Sequence, residues 1–277
     1  MLKAAATHCP SFIAAVGALF NRLREAKRIP RSWRKAQLVL LQKPLKTSDP
    51  AEVPEFRPIS LLSCLFKCYE SVFNRRLQFF LETEYPALFK HQFGFRAERS
   101  THSAIIQILE HISQARQRRH TTLLSSIDFA KAFDRVNMHL CVDKLMHLTQ
   151  NADFCRLIHN MTETRQIAAC SDGKRCKYLT VNRGIPQGSS IAPTLFLVMV
   201  SDLLADIERI NPTKKASLSA TQYADDLNLV VSAKTKNECA ALQLQCMDVI
   251  REWCVKWEMV IHPKKSLFQW FETDRNS

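Results

Sequence analysis

Thr221-Gln222-Tyr223-Ala224-Asp225-Asp226-Leu227-Asn228-Leu229-Val230-Val231 is the stretch on which the reading of this chain turns. Two adjacent carboxylates precede the β-favouring apolar run Leu227, Leu229, Val230 and Val231, which predicts a tight hairpin whose turn holds Asp225 and Asp226. Neighbouring anions repel and resist leaving water, so a partly enclosed pair calls for a cation, and hard divalent ions such as Mg²⁺ take oxygen ligands. An ordinary acidic turn in solvent is the plain alternative, because Asp is a favoured turn residue. The pair therefore takes its meaning from what accompanies it.

Working outward, the 277 residues are 46% hydrophobic, enough to bury a core in one large domain or two smaller ones. The longest apolar run, Ile191 to Val200, contains Pro193 and is too short to span a bilayer, so no membrane partner is expected. No targeting signal is legible at the N-terminus. Ten cysteines without a C-x-x-C pair or zinc-finger spacing suit a reduced intracellular compartment. Cys239, Cys246 and Cys254 fall on one helical face, where core packing rather than metal binding is expected. Lysines and arginines number 39 against 26 acids, a net charge of +13 that favours a polyanionic partner, nucleic acid first. The basic residues cluster, most densely at Arg22, Arg24, Lys27, Arg28, Arg31, Arg34 and Lys35.

Apolar residues at helical spacing predict helices over 11–28, 65–81, 138–148 and 192–207, with another opening at Thr101. The capping-box pattern Thr235-x-x-Glu238 starts one more. Strands are expected over 36–43 and 121–129, in short pieces around Asp172-Gly173, and over 259–271. Asp128 thus falls at a strand end and Asp225-Asp226 on a hairpin. Side by side in one antiparallel sheet, they would meet the need of a two-metal polymerase for carboxylates from neighbouring strands. Between them, Gly184-Ile-Pro-Gln-Gly-Ser-Ser190 opens a helix, where Gln187 could face a nucleotide and Gly188 permits close approach.

Ser126-Ile-Asp128-Phe-Ala-Lys-Ala-Phe133-Asp134, Gly184 to Ser190 and Tyr223-Ala-Asp-Asp226 resemble, in order and approximate spacing, the palm motifs of reverse transcriptases. Phe56-Arg-Pro-Ile-Ser-Leu-Leu62 and His91-Gln-Phe-Gly-Phe-Arg96 resemble finger-side motifs of the non-LTR (LINE-type) branch, more than those of group II intron maturases or telomerase-like relatives. The resemblance implies an α+β fold, with a fingers region over 1–95 and a palm over 96–277 whose antiparallel sheet is backed by helices. It implies an RNA-directed DNA polymerase that uses two Mg²⁺ (or Mn²⁺) ions, an RNA template, a DNA primer and dNTPs, in an intracellular, nuclear setting. A nucleic-acid-binding remnant without catalysis is the alternative.

Residue by residue, the resemblance makes Asp128, Asp225 and Asp226 the metal-site aspartates, with the main-chain carbonyl of Phe129 completing one shell. Phe133 matches the steric gate that excludes a ribose 2′-hydroxyl, with a core aromatic as the other reading. Gln187 matches the nucleotide-contacting glutamine, and Lys43 and Arg57 match triphosphate-neutralising cations. Tyr223 would lie under the primer terminus. Lys264 or Lys265, in His262-Pro-Lys-Lys-Ser266, matches a candidate general acid for pyrophosphate departure. Asp134 is expected to be structural. No thumb, endonuclease or C-terminal zinc knuckle is legible, so the sequence reads as a fragment, a truncated copy or an isolated domain.

Overall fold

Where apolar residues recur every three to four positions the chain forms helices, and where they alternate or run together between turn residues it forms strands. The computed structural model describes residues 9–42, 56–171, 174–210 and 216–272. In chain order the elements are α1 (Pro10–Ala26), a 3₁₀ turn (Arg31–Arg34), β1 (Lys35–Gln42), β2 (Phe56–Leu61), α2 (Cys64–Glu84) and α3 (Thr101–Gln117). Next come β3 (Thr121–Ile127), α4 (Ala132–Arg135), α5 (Met138–Thr149), α6 (Ala152–Thr162), β4 (Arg165–Ser171), β5 (Lys174–Arg175) and β6 (Leu179–Val181). The chain continues with α7 (Ala192–Glu208), β7 (Ala216–Tyr223), β8 (Asp226–Ala233), α8 (Lys236–Trp257) and β9 (Leu267–Phe271). The fold is α+β, and among the described residues no helix is long and apolar enough to cross a membrane.

Three local features depart from the sequence reading. Residues 56–61 form a strand despite Pro58, because β2 is the outermost strand of its sheet and pairs only with β1, so the missing N–H can face away from the ladder. The helix α6 is nucleated by Asn151, whose Oδ1 accepts from the Phe154 N–H at 2.9 Å, and it buries Leu157, Ile158 and Met161 at helical spacing. At the hairpin, Asp226 already pairs with Tyr223 as the first residue of β8, so the turn proper is Ala224-Asp225 and not the aspartate pair.

The described residues fall into two compact units. The first comprises Met1–Asn74 and Met138–Ala192. Its sheet runs β2-β1-β4-β5, with β6 also on β4; β1 is antiparallel to β2 and parallel to β4. Beside it lies an aromatic core. Tyr69, fully buried, packs on Phe20 (ring centroids 5.0 Å apart), Trp33 (5.8 Å) and Phe73 (4.8 Å), and Trp33 also meets Phe66. Such rings bury large areas, and truncating one typically costs 3–5 kcal/mol.

The second unit comprises Arg75–Asn137 and Pro193–Ser277. Its sheet, in the order β7-β8-β3-β9, is antiparallel throughout. The helix α7 is buried on nearly every side through Leu195, Phe196, Val198, Met199 and Leu203, as expected of a helix that is apolar all round. Across α8, Cys239, Cys246 and Cys254 are buried together with Ile250 and Trp253, so the cysteine face is core, as its spacing predicts. The capping box closes as read: Thr235 Oγ1 accepts from Glu238 N–H (3.2 Å), and Thr235 N–H donates to Glu238 Oε2 (3.1 Å).

Candidate active site

The central strand β3 delivers Asp128 one residue beyond its last paired position. Ile127 pairs with Leu227, so continuing that register sets Asp128 beside Asp226, with Asp225 in the adjoining turn. Backbone contacts fix this point: the Asp128 carbonyl accepts from His262 N–H (2.7 Å), and Ala130 N–H donates to the Val260 carbonyl (2.8 Å). These two bonds make the bridge between Phe129 and Ile261 and leave the Phe129 carbonyl outside it. The Phe129 ring, buried against Trp253, anchors the turn from below.

Electrostatics single these carboxylates out. Burial, and then the like charge of Asp128, pushes Asp225 above the usual carboxylate range. Asp226 is pushed the same way by burial, Asp225 and Asp128 in that order, although its side chain reaches solvent. Among the described residues no lysine or arginine forms an ion pair with any of the three. Their oxygens do not all lie within 4.8 Å of one another. Three carboxylates and one unengaged main-chain carbonyl are hard oxygen donors, the set a divalent cation such as Mg²⁺ or Mn²⁺ takes.

The turn between the aspartates' strands is strained and clamped. Ala224 sits at φ +56°, a conformation that an L-residue with a Cβ adopts at a cost. Buried Gln92 grips it: Oε1 accepts from the N–H groups of Ala224 (2.9 Å) and Gly94 (2.8 Å), while Nε2 approaches the Ala224 carbonyl (3.4 Å). A Cβ on Gly94 would stand 2.3 Å from the Ala224 nitrogen, so only glycine fits there. Phe93 N–H donates to Gln222 O and Gln222 N–H donates to His91 O, which lays His91 to Gly94 along β7 as a short extra strand. Arg96 then ties back to Glu82 and the Phe89 carbonyl. The sequence marks no role for Gln92 or Gly94, because nothing in the local pattern says that the partner of Gln92 is 132 residues away.

The remaining residues divide between the units. Phe133, half-exposed, stacks on Phe196 (4.5 Å, 14° between planes) and meets the edge of Phe95 (6.1 Å). Tyr223 ends β7 half-buried, and Lys264 is exposed in the turn before β9 with Lys265 half-buried beside it. Asp134 is exposed in the first turn of α4. Phe133, Tyr223, Lys264 and Lys265 share the unit that holds the three aspartates. Gln187 and Arg57 belong to the first unit, Arg57 exposed on β2, and Lys43 lies outside the described residues.

The Gln187 loop is also held tightly. Ser60 N–H donates to the Gln187 carbonyl (2.7 Å), and Gly188, at φ +119°, lies so near that a Cβ would come 2.6 Å from the Ser60 oxygen. Glu70, 1% exposed, accepts from Ser189 Oγ (2.6 Å) and Ser190 N–H (2.9 Å). Burial pushes its carboxyl up to about 7 against the pull of those hydrogen bonds. With its backbone fixed, the Gln187 side chain makes no hydrogen bond among the described residues and is free to take a ligand.

A family model described as Reverse transcriptase (RNA-dependent DNA polymerase) matches residues 44–272. The chain belongs to the reverse transcriptase family. This reverse transcriptase domain is 31% identical over 250 residues to the probable RNA-directed DNA polymerase from transposon BS of Drosophila melanogaster, covering 90% of this chain and 27% of that protein. It is 27% identical over 247 residues to the RNA-directed DNA polymerase from mobile element jockey of Drosophila funebris, covering 89% of this chain and 26% of that one. The chain thus spans about a quarter of the length of these relatives, and their kind places it in the LINE-type, non-LTR branch. Telomerase from Candida albicans, solved in complex with a fragment of telomeric RNA, shares the fold at a TM-score of 0.62 and 11% identity, over 94% of this chain and 46% of that one.

Proposed function

We infer that this domain is the polymerase core of an RNA-directed DNA polymerase of a non-LTR element, adding deoxynucleotides to a DNA 3′ end on an RNA template. The observation that carries this reading is the convergence of Asp128, Asp225 and Asp226, none with a cationic side-chain partner and Asp225 and Asp226 partly desolvated, at the end of β3 and the β7–β8 turn. In the reaction the 3′-hydroxyl oxygen forms a bond to the dNTP α-phosphorus, the bond to the bridging oxygen breaks, and pyrophosphate leaves. Two divalent ions, held by the three aspartates and the Phe129 carbonyl, would supply the positive charge that activates the hydroxyl and steadies the departing phosphate. Gln92 and Gly94 fix the turn that carries Asp225, so the carboxylates are in place before substrate arrives. Phe133, braced by Phe95 and Phe196, presents a ring that cannot yield to a 2′-hydroxyl. Gln187 contacts the incoming nucleotide, Arg57 and Lys43 neutralise its triphosphate, Tyr223 supports the primer end, and Lys264 or Lys265 protonates the leaving group. The division into fingers over 1–95 and palm over 96–277 and a nuclear setting complete the proposal.

The test is single-nucleotide incorporation on an RNA template annealed to a DNA primer, with Mg²⁺ and either dNTP or rNTP. Incorporation of dNTP alone, and a gain of rNTP use by about tenfold or more in Phe133→Val, a change of about 1.4 kcal/mol in discrimination, are expected. RNA binding without incorporation of any nucleotide would return the chain to a binding remnant.

A further inference from the structure

The first compact unit contains an open cleft of about 530 Å³, lined by Lys27, Arg28, Arg31, Arg34, Arg156 and Asn160. Three stretches build it: the C-terminal end of α1, the 3₁₀ turn, and α6. The frame is rigid. Lys27 closes α1 in the left-handed conformation, its carbonyl accepts from Asn160 Nδ2 at 2.7 Å, and its ammonium pairs with Asp153. Asp153 thereby neutralises Lys27.

The other four cations have no ion-pair partner, although Arg156 also feels the Asp153 carboxylate, which Lys27 first and then Arg156 hold below the usual carboxylate range. Among the described residues, Arg28, Arg31, Arg34 and Arg156 form no ion pair and donate no side-chain hydrogen bond, and Arg34 Nε is buried with no acceptor. Four guanidinium groups around one cleft repel each other, and the nearby C-terminal end of α1 offsets little of that charge. Guanidinium forks match phosphate oxygens in pairs, and an excess of cations without acids is the footprint of a phosphodiester strand.

We propose that this cleft is a binding site for the phosphate backbone of a single-stranded nucleic acid, in a different compact unit from the three aspartates. The site is assigned to positioning the strand through its phosphates, the contacts that such an arginine and lysine lining makes along a backbone whatever its sequence. This inference goes beyond the polymerase reading and stands whether or not the domain is catalytic.

The experiment measures the affinity of fluorescent single-stranded RNA for the whole chain across a salt series, without nucleotide or divalent ion. The wild type is compared with the triple variant Arg28→Gln/Arg31→Gln/Arg156→Gln and the same triple change to lysine. Each phosphate contact contributes about 0.7 to the slope of log affinity against log salt. The glutamine variant is expected to flatten that slope by about 2 and to bind at least about tenfold more weakly at low salt, equally for different RNA sequences. The lysine variant should keep most of the slope. Should the triple glutamine variant fail to fold, Arg31→Gln alone, on an exposed side chain, carries the test through a slope change of about 0.7. An unchanged slope overturns the proposal. So does equilibrium dialysis in which the glutamine variant loses labelled dNTP but keeps the RNA slope, since that outcome assigns the cleft to a free triphosphate.

Discussion

Single residues do two kinds of work here, holding the site and carrying its charge. Gly94 belongs to the first kind. Gly94→Ala drives a Cβ into the Ala224 backbone, which cannot swing aside as a side-chain tip could. A loss of about 3 kcal/mol in urea unfolding is expected, together with loss of the catalytic turn geometry. The aspartates carry the charge, whereas Glu70 holds too, bracing the Gln187 loop through Ser189 and Ser190. Folded, it keeps its proton up to about pH 7, whereas unfolded it releases it near 4.5, so between those values the folded state binds more protons. Its contribution is fully present below about pH 4.5 and is lost as pH rises through 7, on the order of 3 kcal/mol. Melting temperature followed from pH 4.5 to 8 should therefore fall less in Glu70→Gln than in the wild type. The place of Asp128 at a strand end and of Asp225 and Asp226 at a hairpin was legible in the sequence, because local pattern marks both. Gln92, Gly94 and Glu70 were not, because their meaning lies in partners that only the fold supplies.

At the scale of elements, local signals were the ones that read well. The Thr235 capping box is a four-residue pattern with its own partners, and it forms as written at the start of α8. Thr235→Ala should cost about 1 kcal/mol in thermal unfolding, while Thr235→Ser should cost much less. The hairpin was legible as a hairpin, but its turn was read one residue too far along. Ala224 at positive φ is not a residue that turn statistics favour there, and what tolerates the strain is the clamp from Gln92. In β2, proline concealed a strand that only its edge position permits, and α6 went unread although its apolar spacing is helical. The expected strand over 259–271 shortens to β9 because residues 258–266 turn to bring Ile261 against Phe129 and His262 against Asp128.

For the whole molecule, the order of motifs carries the family and the fold. The sequence could not show how the chain is partitioned, because each compact unit is assembled from two separated stretches. What unites the units functionally in this account is charge. A chain of net charge +13 meets polyanions readily, and we infer that three uncompensated carboxylates convert that meeting into chemistry. The most direct test is the rate of dNTP incorporation on an RNA template with Mg²⁺, wild type against Asp225→Asn, with RNA affinity measured on both. Incorporation is expected to fall by about a thousandfold or more while affinity stays within about threefold, roughly 4 kcal/mol of lost transition-state stabilisation against less than about 1 of binding. An Asp225→Asn chain that incorporates dNTP at close to the wild-type rate would contradict that inference.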